Sequence, residues 1–425
     1  MAPKRSGPSV ERALLNLELQ FKLGKTPRRR PNVKPTGALF LFALSGLAGC
    51  AEWPARPIVS PATQATAVVP GYPEVRIWAD APLSDWQRWR QKLLNDRTAT
   101  GTISPPQLLA ISSGSDKGAF AAGYLVGWTA RGDRPDFALV TGVSAGALIA
   151  PFAFLGSSED ETLRKLFTEI SRKDVYVETP IRGLLGGPAL ADSRPLARLI
   201  ANYVTPSLVD RIAIQQRRGR RLLVITTNLD AGRGEAWDMG EIAASDQPGR
   251  VALFRRILLA SASIPGLFPP VLIDVASRGH RFREMHVDGG ATGSLFAIPP
   301  AAIWQGVDDP HISGSAMTIL YNGSLRMNYR VVKPTVSAIV SRALDTMINA
   351  ADRQSLQAYS RYAAENGLAL QVVSIEKPLE QARLFDTGNM VHLYCEGYER
   401  VAPSRASLAI CHRSPQQTTN PTGHP

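Results

Sequence analysis

The chain has 425 residues, enough for one large α/β core or two smaller ones, and its composition is that of an ordinary globular protein. Its formal net charge is +12, but residues 1–49 alone carry +7, so the rest of the chain is only mildly basic. A mildly basic chain of this kind can bind anionic lipid surfaces as well as nucleic acid. Because no basic-aromatic motif is present, we expect no nucleic-acid binding.

An apolar run at residues 37–48 follows a basic region and ends in Leu47-Ala48-Gly49-Cys50. About 12 residues are too few to cross a bilayer but are typical of the apolar part of a signal peptide. The ending resembles the bacterial lipobox, in which the cysteine becomes the lipidated first residue of the mature protein. We therefore predict a leader over residues 1–49, lipidation of Cys50 and attachment to a membrane of the bacterial cell envelope on its periplasmic face. A plain membrane anchor or a chance apolar patch is the alternative.

Residues 50–82 are rich in proline and alanine and show little periodicity, which predicts an extended tether. Ser84 or Asp85 can then cap a helix whose apolar residues share one face. These residues are Trp86, Trp89, Leu93 and Leu94. We expect this face to pack on the core, with an aromatic stripe that touches a membrane as the alternative.

From residue 107 onward, strand and helix patterns alternate. The predicted strands are Leu108–Ser112, Ala138–Thr141, Leu222–Thr227, Met317–Tyr321 and Leu368–Ile375, and the predicted helices are Gly118–Thr129, Gly146–Leu155, Leu163–Ile170 and Val251–Ala260. Such alternation predicts an α/β fold with a mostly parallel central sheet, helices on both faces and ligands at the carboxyl ends of the strands. We expect a single domain over residues 83–400, with its motifs within 107–300, and a flexible polar tail over 401–425.

One long helix is predicted over residues 334–364. Its apolar stripe is expected to pack in the core. The stripe consists of Ile339, Ala343, Met347 and Ala350.

The segment 139–148 reads as a buried strand, a glycine-flanked serine and a helix. Gly142 and Gly146 allow the backbone to turn sharply without a Cβ clash, so that Ser144 stands near a helix N-terminus. This is the pattern of a nucleophile elbow. Ser144 is therefore the candidate nucleophile.

A second strand leads into the small-residue loop 112–120. Such a loop before a helix directs successive N–H groups outward, where they can hold an anion. In acyl transfer this anion is the tetrahedral oxyanion, and removing one donor costs about 3 to 4 kcal/mol of barrier. A structural turn and a phosphate-binding loop are the alternatives, although the spacing does not fit the latter.

A short strand then delivers Asp288 to a glycine turn, in Met285-His286-Val287-Asp288-Gly289-Gly290. Alone, this sequence is typical of a plain turn. Together with the two preceding motifs, it makes Asp288 a candidate base.

In this order, the three motifs resemble those of the patatin-like phospholipases, which combine a glycine-rich oxyanion loop, a Gly-x-Ser-x-Gly elbow and Asp-Gly-Ala/Gly. Further segments extend the resemblance over roughly residues 107–400. These segments are 260–270, 226–232, Trp237-Asp238, Phe385-Asp386, Leu393-Tyr394 and Gly397-Tyr398.

The resemblance implies a patatin-like three-layer fold with a Ser144–Asp288 dyad at the carboxyl ends of the strands. It also implies hydrolysis of fatty-acyl esters of phospholipids or related membrane lipids without a metal or organic cofactor. The oxyanion N–H groups would come from Gly114, Ser115 and Asp116. The supporting motif residues would be Lys117, Gly118, Gly142, Gly146, Gly289 and Gly290.

The chain departs from the family at Ser113 and Ser115, which replace glycines, and at Asp116, which adds a negative charge. If Ser115 requires φ > 0, the serine costs about 1 kcal/mol or tilts its N–H away from the oxyanion. A catalytically impaired module that binds lipid or a partner therefore stays open, as does an acyltransferase that uses the same dyad.

Histidines offer a rival arrangement. A Ser-His-Asp triad would need His311 or His392 as its base. His280 and His286 precede the aspartate and could tune it.

Cys395 and Cys411 are the thiols that remain if Cys50 is lipidated. In an oxidising compartment they can close a loop of about 17 residues, worth about 3 kcal/mol. Two unrelated reduced cysteines are the alternative, and the spacing resembles no metal motif.

Overall fold

The computed structural model describes residues 56–101, 104–180, 183, 187–305, 312–326, 329, 331–376, 383–402 and 411. The predicted leader, Cys50, His311 and most of the predicted polar tail lie outside these residues. Among the described helices, none has both the length and the apolar character needed to cross a bilayer.

Nine described strands form one mixed sheet with a parallel centre. In chain order the strands are β1 (Arg76–Trp78), β2 (Gln107–Ile111), β3 (Leu139–Val143), β4 (Val177–Glu178), β5 (Ala191–Asp192), β6 (Arg221–Asn228), β7 (Arg233–Asp238), β8 (Val271–Ser277), β9 (His280–Asp288), β10 (Ala316–Tyr321) and β11 (Ala369–Ser374). The sheet order is β1-β7-β6-β3-β2-β10-β11, with β9 paired to β6 and β8 to β9, while β4 and β5 pair separately. Strands β6, β3, β2, β10 and β11 are mutually parallel, and the remaining pairs are antiparallel.

Helices connect the strands and cover both faces of the sheet. The described α-helices are α1 (Pro61–Ala65), α2 (Leu83–Ala99), α3 (Gly118–Arg131), α4 (Ala145–Leu155), α5 (Asp160–Thr168), α6 (Arg172–Val175), α7 (Arg194–Tyr203), α8 (Pro206–Arg217), α9 (Met239–Ala244), α10 (Arg250–Ser261), α11 (Pro300–Trp304), α12 (Val336–Glu365) and α13 (Thr387–Glu399). Short 3₁₀ turns lie at Ser115–Lys117, Ser157–Glu159 and Gly289–Ala291.

Successive side chains of β2 enter two different cores, as expected for a strand buried on both faces. Leu109 and Ile111 belong to a large core that includes α3, α4 and α13. Leu108 and Ala110 belong to a second core with α11 and α12. The predicted α/β fold, with helices on both faces of a mostly parallel sheet, is therefore confirmed.

The predicted strands and helices from residue 107 onward are all present, with ends shifted by at most three residues. The predicted tether is wrong over residues 61–82, because this segment is part of the fold. Strand β1 pairs antiparallel with β7, and Val69, Tyr72 and Val75 are buried. The prolines around these residues interrupt regular structure but do not prevent their apolar side chains from packing on the sheet.

Helix α2 is the predicted packing helix, since Trp86 and Leu93 are buried. Its predicted cap is wrong. Pro82 occupies the cap position and no side chain caps the helix. Asp85 lies inside the first turn, where its carboxylate pairs with Arg88 at 2.7 Å.

The predicted core stripe of the long helix α12 is also wrong. Ile339 and Met347 are 54% and 67% exposed, Ala343 is exposed and Ala350 is half-buried. Only the second half of the helix packs on the sheet, through residues such as Leu356. The physical reason is length, because 30 helical residues span about 45 Å and the six residues of β10 span about 20 Å.

The two C-terminal cysteines are joined. Cys395, which is buried on α13, forms a disulfide with Cys411. The bond ties residue 411 to the helix that packs most extensively against α3.

Candidate functional site

Ser144 and Asp288 are brought together on one edge of strand β6. Strand β3 runs parallel to β6, and its last residue, Val143, lies opposite Ile225. Strand β9 approaches from the other direction, and its last residue, Asp288, lies opposite Thr226. Because Ser144 directly follows β3, the two strands meet almost end to end. Both side chains therefore lie at the carboxyl ends of the parallel strands, where α/β sheets bind ligands.

The turn at Ser144 is sharp and tightly packed. Its backbone adopts φ 55° and ψ −118°, a strained conformation for a residue with a side chain. A Cβ on Gly142 would lie 2.4 Å from the carbonyl oxygen of Gly146, and one on Gly146 would lie 2.2 Å from that of Ile111. The Ser144 N–H donates to Ser261 Oγ at 3.0 Å, and the Ser261 hydroxyl donates to a β6 carbonyl at 2.6 Å. The surrounding structure thus holds the strained turn in place.

Ser144 Oγ donates to Asp288 Oδ2 at 2.5 Å, and both residues are buried. The other carboxylate oxygen, Oδ1, accepts the Gly290 N–H at 2.7 Å, and the Asp288 N–H donates to the Ser263 carbonyl at 2.9 Å. Burial raises the pKa of Asp288 to about 6, although the hydrogen bonds from Ser144 and Gly290 lower it in part. At neutral pH the carboxylate is therefore ionised yet more basic than an aspartate in water.

The predicted oxyanion loop follows β2 and is fixed by Asn322, which follows β10. The Asn322 side-chain amide donates to the Ser112 carbonyl at 2.9 Å, and its backbone N–H donates to the Ser112 hydroxyl at 2.8 Å. A Cβ on Gly114 would lie 2.6 Å from Asn322 Cβ. Ser115 has φ 54°, so the positive φ considered from the sequence is present. In the described part of the chain, the N–H groups of Gly114 and Ser115 donate to no protein acceptor and can receive a ligand oxygen.

Asp116 has a role in the fold that its position in the motif did not reveal. Its carboxylate is buried and accepts the N–H of Phe385 at 3.2 Å. Burial raises the pKa of Asp116, while the N–H groups of Phe385, Asp116 itself and Lys117 and the charge of Lys117 lower it in part. Since the Asp116 N–H interacts with its own carboxylate, Gly114 and Ser115 are the better-placed donors of the three predicted.

The predicted supporting residues lie on the turns around the dyad. Gly118 begins α3, and a Cβ there would lie 3.0 Å from that of Ala145. Gly289 follows Asp288, and a Cβ there would lie 2.5 Å from the Ile225 carbonyl oxygen. These glycines allow the loop, the elbow and the aspartate turn to approach one another closely.

A narrow cavity extends from Ser144 and is almost wholly apolar. Ser115 and Ser144 are among the residues that line it. Its apolar lining includes Leu148, Phe167, Ile170, Leu196, Phe268 and Met390. No charged side chain is among the described residues that line it. Such a lining suits an apolar group rather than a polar one.

His286 is held in a buried ion-pair network on β9. Arg76 pairs with Glu284 at 2.5 Å and with Glu235 at 3.0 Å, and His286 Nε2 lies 3.4 Å from Glu284. Ligand atoms of the histidine and both glutamates lie within 4.8 Å of one another, a spacing that could hold a cation. The guanidinium of Arg76 already pairs with both carboxylates, however. We therefore interpret the cluster as a structural network that fixes the strand carrying Asp288.

The histidines do not complete a triad within the described residues. His392 is exposed on α13, His280 is exposed at the start of β9, and neither hydrogen-bonds Ser144 or Asp288. His311 lies outside the described residues.

The site thus has a serine at a sharp strand–helix turn that is hydrogen-bonded to a buried aspartate on an α/β fold. Residues 109–300 match the family model described as patatin-like phospholipase. The crystal structure of VipD from Legionella pneumophila is similar over 70% of this chain and 66% of that chain, with 12% sequence identity and a TM-score of 0.32. The similarity thus spans just under two thirds of that chain. No curated protein matches the sequence.

Sequence reasoning missed the residues that support the site. Ser261 lies in the segment 260–270 that resembles the family. Nothing in the sequence indicated that its hydroxyl would bridge Ser144 and β6. Asn322 offered a clearer signal, because it is a polar residue directly after an apolar strand. That position predicts a place at the carboxyl edge of the sheet, where the structure puts it.

Proposed function

We propose that this protein is a serine acyl hydrolase that cleaves fatty-acyl esters of phospholipids or related lipids. The observation that carries the proposal is the 2.5 Å hydrogen bond from Ser144 Oγ to Asp288 Oδ2, beside an apolar cavity that Ser144 lines. The match of residues 109–300 to the patatin-like phospholipase model supports the same class of reaction.

In the proposed mechanism, the acyl chain lies in the apolar cavity and its carbonyl carbon faces Ser144 Oγ. Asp288 Oδ2 accepts the serine proton as the oxygen attacks, and the carbonyl oxygen becomes an oxyanion. The N–H groups of Gly114 and Ser115 stabilise this oxyanion, since they donate to no protein acceptor in the described chain. Asp288 then returns the proton to the departing alcohol, and a water molecule activated by the same carboxylate hydrolyses the acyl-enzyme.

A fluorophosphonate probe tests the nucleophile directly, because it reacts with activated serines. We expect the wild-type protein to be labelled and Ser144→Ala to remain unlabelled. Ser360→Ala is a control that removes an exposed serine hydroxyl bonded within helix α12, and it should be labelled like the wild type. Lipid-class profiling with wild type and Ser144→Ala then identifies the substrate. Equal lipid turnover by the two proteins would refute the dyad.

One observation favours a second function, that of an impaired module that binds lipid. Ser115 stands at φ 54° in the oxyanion loop, where glycine would be unstrained. A folded wild-type protein that is not labelled by the probe but binds fatty acid would support this alternative. Acyl transfer uses the same residues, and added lysolipid or alcohol would reveal it through newly esterified products.

We also propose that Cys50 is lipidated and holds the protein at a membrane of the cell envelope, facing the periplasm. The lipobox-like Leu47-Ala48-Gly49-Cys50 supports this proposal. Metabolic labelling with a fatty-acid analogue should mark the wild type but not Cys50→Ser.

A further inference from the structure

The first half of helix α12 extends beyond the edge of the sheet that carries Ser144. The Tyr321 hydroxyl, at the carboxyl end of β10, donates to the carboxylate of Asp352 at 2.7 Å. From Asp352 to the end of the helix at Glu365, the chain rises about 20 Å, which matches the length of β10. Residues 336–351 therefore extend about 24 Å past the carboxyl ends of the strands. We call these residues the apolar arm.

The apolar arm exposes large apolar side chains along most of its length. These side chains are Val336, Ile339, Val340, Leu344, Met347 and Ile348, which are 43% to 81% exposed. Their spacing of three and four residues places them along one side of the helix. Tyr329 and Val331, just before the arm in the sequence, are also exposed, by 90% and 84%. Soluble monomers rarely expose so many large apolar side chains together unless the surface binds something.

Basic residues accompany this apolar surface. Residues 325–348 contain four Lys or Arg and a single acidic residue, Asp345, for a formal charge of +3. Lys333 and Arg326 are exposed. Apolar side chains with nearby basic residues are typical of segments that enter the interface of an anionic bilayer. The arm itself contains one basic and one acidic residue, Arg342 and Asp345, so the basic residues that favour an anionic bilayer lie in the segment just before it.

The base of the apolar arm touches the candidate site. Asp352 accepts a short hydrogen bond from the Ser294 hydroxyl, and the Ser294 carbonyl accepts the Ser113 N–H at 2.7 Å. Ser113 lies in the oxyanion loop. An arm seated in a bilayer would therefore hold the catalytic edge of the sheet close to the lipid surface.

We propose that the apolar arm is a membrane-docking element that inserts its apolar side into a bilayer containing anionic headgroups. The proposal extends the proposed function, because the arm would bring Ser144 to a lipid substrate. It does not depend on that function, since vesicle binding and ester hydrolysis are measured separately.

Vesicle flotation of the full chain tests the proposal. All proteins should carry Cys50→Ser, so that no attached acyl chain contributes to binding. The arm variant combines Ile339→Ser, Leu344→Ser and Met347→Ser. The control combines Ile214→Ser and Trp304→Ser, two exposed apolar residues on helices α8 and α11. Vesicles of phosphatidylcholine are compared with vesicles that also contain phosphatidylglycerol, at low and high salt.

We expect the parent protein and the control to bind vesicles that contain phosphatidylglycerol more strongly than vesicles of phosphatidylcholine alone. This difference should be smaller at high salt. The arm variant should bind at least about tenfold more weakly, because it loses three apolar insertions. Its hydrolysis of the soluble ester p-nitrophenyl butyrate and its unfolding midpoint should stay unchanged, since the three side chains are exposed.

Unchanged vesicle binding by the arm variant would overturn the docking proposal. A parent protein that is dimeric by light scattering, together with an arm variant that is monomeric but still binds vesicles, would also overturn it. In that case a second copy of the chain would occupy the surface. If the parent hydrolyses no ester but the arm variant alone loses vesicle binding, docking stands and the proposed hydrolase function fails.

Discussion

Asp288→Asn is expected to reduce hydrolysis strongly and to lose less stability than the wild type as the pH rises. Burial raises the pKa of Asp288 from its ordinary 3.8 to about 6, so the folded protein holds this proton more tightly than the unfolded chain does. As the pH rises through the window between these values, ionisation of Asp288 destabilises the folded state relative to the unfolded state. A shift of roughly two units corresponds to about 3 kcal/mol, of which about 2 kcal/mol develops between pH 4.5 and pH 8. The asparagine cannot ionise and escapes this loss.

Urea unfolding of the wild type and Asp288→Asn at pH 4.5 and pH 8 measures the effect. The difference in unfolding free energy should move in favour of the variant by about 2 kcal/mol between the two pH values. The pH-independent loss of the Ser144 hydrogen bond cancels in this comparison. Hydrolysis of a soluble ester should fall by about 10²- to 10⁴-fold, the usual contribution of a general base.

Asp238→Asn is the matched control. Burial also raises the pKa of Asp238 to about 6, but this residue lies opposite Leu223, on the half of β6 away from Ser144. It should show a similar pH-dependent change in stability while hydrolysis persists. A stability difference between wild type and Asp288→Asn that does not change with pH would refute the burial argument. Full hydrolysis by Asp288→Asn would refute its role as the base.

Three further outcomes follow from the geometry. Wild-type hydrolysis of a soluble ester should fall as the pH drops through about 6, because Asp288 must be ionised to accept a proton. A rate that stays constant down to pH 5 would contradict this prediction. Gly114→Ala should remove most activity, since the Cβ of the alanine would lie 2.6 Å from the Cβ of Asn322. An unchanged kcat would show that the loop can move to accommodate the methyl group. Cys411→Ser should lower the unfolding free energy by about 3 kcal/mol, and a reductant should destabilise wild type but not this variant.

Sequence patterns predicted most of the sheet and the helices around it, because strands buried on both faces are continuous apolar runs and the helices between them are periodic. The pattern was misleading for helix α12. Apolar residues at Ile339 and Met347 recur with the spacing of a core stripe, yet both are exposed. Periodicity identifies an apolar side of a helix but does not indicate whether the helix is longer than the strands it packs on. That depends on the lengths of neighbouring elements.

Local motifs predicted Ser144 and Asp288 as partners, but the reason they meet is a matter of register. Val143 and Asp288 lie opposite consecutive residues of β6, which a sequence does not reveal before the strands are paired. The contacts that hold the site are equally nonlocal. Ser261 reaches Ser144 across 117 residues, and the Asp116 carboxylate accepts an N–H from Phe385 across 269. Neither has a sequence signature, because a buried serine or aspartate is used in many ways.

A dyad without histidine depends on burial of its carboxylate, and the same burial destabilises the ionised form of that carboxylate. In water an aspartate is too weak a base to activate a serine, whereas burial raises the pKa of Asp288 to about 6 and destabilises the ionised form. The same edge also carries positive φ at Ser144 and Ser115. These unfavourable features persist because neighbouring contacts are strong, including the Arg76 ion pairs that fix β9 and the Asn322 hydrogen bonds that fix the loop. The cost at the carboxyl edge and the reactivity proposed for it therefore have the same physical origin.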